Sequence, residues 1–262
     1  MEPLIIYLLV GAFVGIMAGL LGVGGGLIIV PALVLVFHRQ GVADAVIMHL
    51  AIGTSLASIV LTSISSMYAH HRRGAVHWPA FRGLTPGIVI GALAGAAVAD
   101  LMPGHALRVF FGVFVLVVAV QIAFNLMASP HRQLPGKPGL AAAGGAIGVV
   151  SSIVGIGGGS LTVPFLVWCN LSIRAAVATS SACGFPIAVA GAAGFVLAGW
   201  NARGLPPFSS GYVYWPAQLG IALASVAFAP LGARLAHTLP TDILRKLFAL
   251  FLAVIGVRML IG

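Results

Sequence analysis

The chain has 262 residues, of which 60% are hydrophobic and 6% charged, against about 25% charged in an ordinary soluble domain. Four acidic and 13 basic residues cannot cover a 26.7 kDa particle, and a mean hydropathy of +1.14 excludes a water-soluble globule. The net charge of +9 does not point to nucleic acid either, because the basic residues lie scattered between apolar runs and form no stripe. What remains is an integral membrane protein with its Lys and Arg in short loops.

The apolar runs, in chain order, cover 4–37, 45–69, 78–99, 106–127, 140–169, 175–199, 215–236 and 243–261. Glu2 is the only charge ahead of the first, so the positive n-region of a signal peptide is missing and the run reads as part of the mature chain. A spanning helix needs about 20 residues, and six of the runs read as ordinary crossings. The first and fifth do not: residues 4–37 as one straight helix would measure about 51 Å, against an apolar bilayer core of about 30 Å. The bends are marked by Gly22-Val23-Gly24-Gly25-Gly26 and Gly155-Ile156-Gly157-Gly158-Gly159, followed by Pro31 and Pro164. Three consecutive glycines in an apolar run break a helix, because glycine is its poorest ordinary former and accepts positive φ.

The pairing of the breaks exposes an internal repeat. Gly15, Gly22, Gly24 to Gly26 and Pro31 recur 133 residues later, and Thr54-Ser55 recurs as Thr179-Ser180 at an offset of 125. Trp78-Pro79, Gly95, Pro103, Leu107-Arg108 and Phe111 recur at an offset of 137. If each long run crossed once, the basic residues would divide seven to six and define no orientation. If each folds back at its glycines, Arg72, Arg73, Arg82, Arg132, Lys137, Arg174, Arg234, Arg245 and Lys246 share one side, and only Arg39, Arg108, Arg203 and Arg258 the other. The second division obeys the positive-inside rule. Two full short crossings per long run would give the same parity. The expected fold is an all-α polytopic membrane protein of two inverted repeats, 1–128 and 140–262, joined by a cytoplasmic, Pro-rich linker at 129–139. Each repeat holds a glycine-broken re-entrant or short helical hairpin and three transmembrane helices, with both termini outside.

Backbone that leaves the helix at membrane depth must line a cavity or be buried in protein, and broken helices at matching places in two halves point to a transporter's binding site. Each break is followed by what reads as a new short helix, whose N-terminus presents free N–H groups and about half a positive charge. The expected ligand is a small anion near the midplane, held by Gly24, Gly25, Gly26, Gly157, Gly158, Gly159 and Ser160, with the recurring Thr54-Ser55 and Thr179-Ser180 beside them. No Lys or Arg lies near the middle of any apolar run, so neutral donors and dipoles must do the holding. Thr54, Ser58, Thr62 and Ser66 form a hydroxyl stripe at i,i+4 spacing, which also suits bonds to their own helix. His49 is the one titrating group expected near the pore and the candidate for ion coupling. His70, His71 and His77 flank Arg72 and Arg73 in what reads as a solvated turn. No spacing supports a metal or a nucleotide loop, no GxSxG elbow or intramembrane carboxylate supports catalysis, and no cofactor is implied. Cys169 and Cys183 read as small buried hydrophobes.

The residues GLLGVGGGLIIVPAL and SSIVGIGGGSLTVPFL, with HLAIGTSLAS and RAAVATSSACGFPIA after them, resemble the TauE/SafE sulfite exporter family of membrane permeases over nearly the whole chain. The resemblance implies a multi-pass permease of the bacterial inner membrane that moves sulfite, sulfonates or related sulfur-containing anions. It places the family motif on Gly22 and Gly24 to Gly26, Gly155 and Gly157 to Gly159, and Gly53-Thr54-Ser55; the second half departs with Ala178 before Thr179-Ser180. The expected partners are a small anionic substrate and the lipid bilayer, with no nucleic acid. A passive anion channel or an anion sensor on the same scaffold is the alternative. The charge parity is checked by fusing a topology reporter after Gly262: activity outside the cytoplasm is expected, and cytoplasmic activity would refute the fold-back of the long runs.

Overall fold

The computed structural model describes residues 2–21, 25–126, 131–236 and 241–261. In chain order these form α1 (Glu2–Leu21), α2 (Gly26–Arg39), α3 (Asp44–Arg72), α4 (Trp78–Leu101), α5 (Gly104–Ala123), α6 (Lys137–Val154), α7 (Gly159–Trp168) and α8 (Ile173–Ala198). A hairpin of β1 (Ser209–Ser210) and β2 (Val213–Tyr214) precedes α9 (Trp215–Ala236) and α10 (Thr241–Ile261). The chain is thus an all-α polytopic fold, with each apolar run a single helix except the first and fifth, which are split at their glycines. Helices long and apolar enough to cross a membrane are α3, α4, α5, α6, α8 and the Trp215–Gly232 part of α9. Leu101, Ile90 and Leu197 are 84%, 71% and 71% exposed, as side chains facing lipid should be.

The second break is made by backbone that only glycine holds without strain. Gly155 ends α6 at φ 78°, and the N–H groups of Gly155 and Ile156 both return to the Ser151 carbonyl, at 2.9 and 3.0 Å. Gly158 stands at φ 75° and starts α7. With 10 residues α7 is about 15 Å long, half the apolar core, and α2 with 14 is about 21 Å. The arms before the breaks are longer: α1 has 20 residues and α6 has 18. α6 begins at Lys137, so the end of the expected linker belongs to a helix; residues 127–130 lie outside the described parts, as do Gly22 to Gly24.

The halves are interlocked. The broadest helix contacts pair α1 with α9 and α4 with α6, which exchanges elements between halves; α5 with α10 and α3 with α8, which are repeat equivalents, come next together with α4 and α8. Glycines bring the exchanged pairs close, because small residues let backbones approach in the absence of a hydrophobic driving force. Along α4 and α6, Gly83 meets Leu140, Gly87 meets Ala141, Gly91 meets Gly145 and Gly95 meets Val149, so the two helices run the same way. Along α1 and α9, Gly11 meets Ile221 and Gly15 meets Ser225, again in the same direction. In contrast, Gly53 meets Phe195, Leu56 meets Gly191 and Ser63 meets Gly184, so the equivalent helices α3 and α8 run in opposite directions.

The change of repeat offset from 125 to 137 has a structural counterpart. Between α3 and α4 the chain needs only residues 73–77, whereas between α8 and α9 it uses 199–214 and builds the hairpin, in which Ser209 pairs with Tyr214 and Ser210 with Val213. No alternation in that stretch signalled strands. A fold-level check lies in the α4–α6 seam: a Cβ on Gly144 would run into the Leu84 carbonyl, whereas one on Gly145 would meet nothing nearer than 3.8 Å. Gly144→Ala is expected to destabilise the protein by about 1–3 kcal/mol and Gly145→Ala to leave it unchanged, read as thermal unfolding in detergent.

Candidate functional site

The described end of the first glycine break, Gly26, meets the second break. A Cβ on Gly26 would lie 2.5 Å from the Gly155 carbonyl oxygen and 2.8 Å from the Ile156 Cα, so the two backbones touch with no room for a side chain. The Gly155 carbonyl, released from the helix ladder, accepts a hydrogen bond from the Ser55 hydroxyl at 2.8 Å. The Thr54 hydroxyl accepts from the Tyr214 N–H at 3.0 Å, and the Thr179 hydroxyl from the His77 N–H at 2.9 Å. Tyr214 and His77 each stand just before a Trp-Pro that starts α9 or α4. The recurring threonine therefore anchors, in both halves, the entry to a helix of the opposite half.

Beside the breaks lies a cavity of about 530 Å³ between α1, α3, α7, α8 and α9. Gly25, Gly157, Gly159 and Ser180 line it, with Thr62 and Ser66 on the α3 wall and Arg73 and His70 where α3 ends. Among the described residues lining it there is no Asp or Glu, and Arg73 is the single Lys or Arg. Ser180 is 2% exposed and its hydroxyl has no hydrogen-bond partner. Thr62 and Ser63, by comparison, donate to the carbonyls three residues back, at 3.2 and 2.9 Å. The first-turn amides of α7, from Gly159 and Ser160, have no partner within their helix. The cavity is thus bordered by one full positive charge, by the unpartnered Ser180 and by the start of α7.

The expected site residues fall into distinct places. Gly25, Gly157, Gly159 and Ser180 line the cavity, Gly26 and Gly158 are buried next to it, and Ser160 opens α7. Thr54, Ser55 and Thr179 are fully buried in the contacts between halves, and Gly24 lies outside the described residues. His49 is not on the cavity. Its Nε2 pairs with the Ala99 carbonyl at 3.0 Å, its Nδ1 is buried without a partner, and its ring lies 4.9 Å from that of Tyr212 in the hairpin loop. The Tyr212 phenol donates to Asp100 at 3.0 Å, and burial, reinforced by that carboxylate, pushes its pKa up to about 12.

Arg73 and His70 differ from the sequence expectation of a solvated turn: His70 is in the last turn of α3 and Arg73 caps it, and both line the cavity. The signal was present: the spacing of Thr62 and Ser66 reaches His70 after one more turn and Arg73 just beyond it.

An all-helical, multi-pass bundle with a polar cavity at a pair of helix breaks is the architecture of a membrane transporter. The model of the family Sulfite exporter TauE/SafE matches residues 7–259, and the chain belongs to that family. It is 36% identical over 257 residues to a probable membrane transporter protein of Haemophilus influenzae, covering 98% of this chain and 97% of the relative. It is 29% identical to the probable membrane transporter protein MJ0441 of Methanocaldococcus jannaschii, covering 99% and 95%. To the probable membrane transporter protein YdhB of Bacillus subtilis it is 26% identical, covering 97% and 98%. No solved structure matches the chain.

The threonine anchors can be checked apart from transport. Thr179→Val removes the acceptor for the His77 N–H and is expected to destabilise by about 1–2 kcal/mol, while Thr179→Ser keeps most of the stability. Unfolding midpoints of purified variants in detergent give the comparison.

Proposed function

We propose that the protein carries a small sulfur-containing oxyanion, such as sulfite or a sulfonate, across the bacterial inner membrane, with the ligand held near the midplane at the two glycine breaks. The observation that carries this reading is a cavity bordered by the unpartnered Ser180 and by Gly159 at the start of α7, whose described lining has one guanidinium and no carboxylate. Such a site rewards a ligand that is negatively charged and rich in acceptors. Thr54, Ser55 and Thr179 enter this reading as the braces that hold the breaks, and Ser180 and the glycines of 24–26 and 157–159 as the groups near the anion. Binding by partial charges is weak enough to release the ligand, which suits translocation.

The proposal includes alternating access of two inverted repeats. It is supported by the opposite run of α3 and α8, which would run the same way if each long stretch crossed only once. On the positive-inside reading, Arg73 marks the cytoplasmic mouth of the cavity. The far end is covered by the hairpin loop, whose Tyr212 packs on Gly53 and His49. That cover favours a carrier over a passive channel, which needs a continuous path. In this scheme His49 belongs to the cover, and a proton on its unpartnered Nδ1 is the candidate for coupling.

Uptake of radiolabelled sulfite into proteoliposomes tests the reading. Saturable flux is expected, and Arg73→Gln should raise the half-saturating concentration about 3- to 10-fold at low ionic strength, with Arg73→Lys restoring it. Flux that never saturates would favour a channel. Absence of flux for every sulfur oxyanion tried would sink the proposal.

A further inference from the structure

Three more hydroxyls stand at the second break with nothing to bond to. Ser151 and Ser152 near the end of α6 and Thr162 in α7 are each 0% exposed, and none of their side-chain oxygens has a hydrogen-bond partner. A serine or threonine inside a helix ordinarily satisfies itself on a carbonyl three or four residues back, as Ser58, Thr62 and Ser63 do on α3. Buried polar groups without partners are rare in native proteins, because the lost hydration is not replaced. Three in one break call for a ligand.

Their placement is not random. The Ser151 Oγ and the Thr162 Oγ1 each lie 3.3 Å from where a Cβ on Gly158 would stand, so both converge on the backbone that starts α7. The Ser152 Oγ lies 3.2 Å from the corresponding point on Gly191. Along α8 the order is Ser180 and Gly184 on the cavity, then Ile187 against Gly158, then Gly191 against Ser152, then Phe195 against the ring of Tyr212. The orphan hydroxyls therefore continue from the floor of the cavity toward the covered end, through the layer where Ile187 now presses on Gly158.

Resting on the transport reading above, we infer that Ser151, Thr162 and Ser152 form an inner anion position, reached when the α6–α7 break moves off Ile187. Their hydroxyls donate to oxyanion oxygens as the ligand leaves Ser180. An anion is favoured because each orphan hydroxyl has a proton to donate, and two of the carbonyls at the break are already accepting. The Ser151 carbonyl accepts the N–H groups of Gly155 and Ile156 at 2.9 and 3.0 Å, and the Gly155 carbonyl accepts the Ser55 hydroxyl at 2.8 Å.

The test is the nearly isosteric double variant Ser151→Ala with Thr162→Val, examined for thermal unfolding in detergent and for sulfite uptake in proteoliposomes. Removing orphan hydroxyls should leave the unfolding midpoint equal or higher. The maximal uptake rate should fall about tenfold, through loss of donors met only during passage, while the half-saturating concentration changes little. Ser180→Ala should do the reverse and raise half-saturation. Thr162→Ser, which keeps a hydroxyl, should retain most of the rate.

An unchanged maximal rate, or a lowered midpoint, overturns the inference and marks the hydroxyls as structural. Loss of a sodium dependence at unchanged anion kinetics also overturns it, by assigning the oxygens to a cation. If the wild-type protein moves no sulfur oxyanion, the functional reading falls and this inference with it; if the wild type transports normally and the variant matches it, only this inference falls.

Discussion

Backbone that has left its helix cannot face lipid, because each unpaired N–H or carbonyl there costs several kcal/mol. Among the described residues the stretch between α6 and α7 is of this kind, and the surrounding architecture covers it. The Gly155 carbonyl finds the Ser55 hydroxyl, and Gly26 packs on the Gly155–Ile156 backbone of the other half. The long arms α1 and α6 are clasped by α9 and α4, each from the opposite half. The described breaks are covered largely across the halves, Gly155 by Ser55 and Ile52 and Gly26 by Ile156, while Ile187 of α8 covers Gly158 from its own half.

The repeated parts and the unrepeated parts serve different ends. Thr54 and Thr179 perform the same task twice, each holding the start of a helix across the interface. The insertion before α9 occurs once, and with it the two ends of the molecule differ: Tyr212 sits on His49 and Asp100 at one end, while the short 73–77 connection leaves the cavity bordered by Arg73 and His70 at the other.

Much of this was legible in one dimension. The helix spans, the two breaks, the repeat and the family resemblance all follow from local properties: apolar length, consecutive glycines and recurring residues. The hydroxyl stripe on α3 was visible as well, but a cluster of His and Arg at its end reads as a solvated turn, and the helix continues through it to Arg72. The hairpin at 209–214 was hidden, because four strand residues carry no usable alternation and their pairing is held by burial of Tyr212 and Val213 under the helix ends.

By itself, the sequence determined that the chain lies in a membrane, where its helices break, and that it is built twice. Those properties depend on each residue and its near neighbours along one helix. Only the tertiary structure decided which polar groups are spent on holding the fold and which are left over. Thr54, Ser55 and Ser180 look alike in the sequence, but the first two meet Tyr214 and Gly155, residues 160 and 100 positions away, while Ser180 meets no partner. A hydroxyl is satisfied by the helix packed against it, and that neighbour is set by the fold of the whole chain.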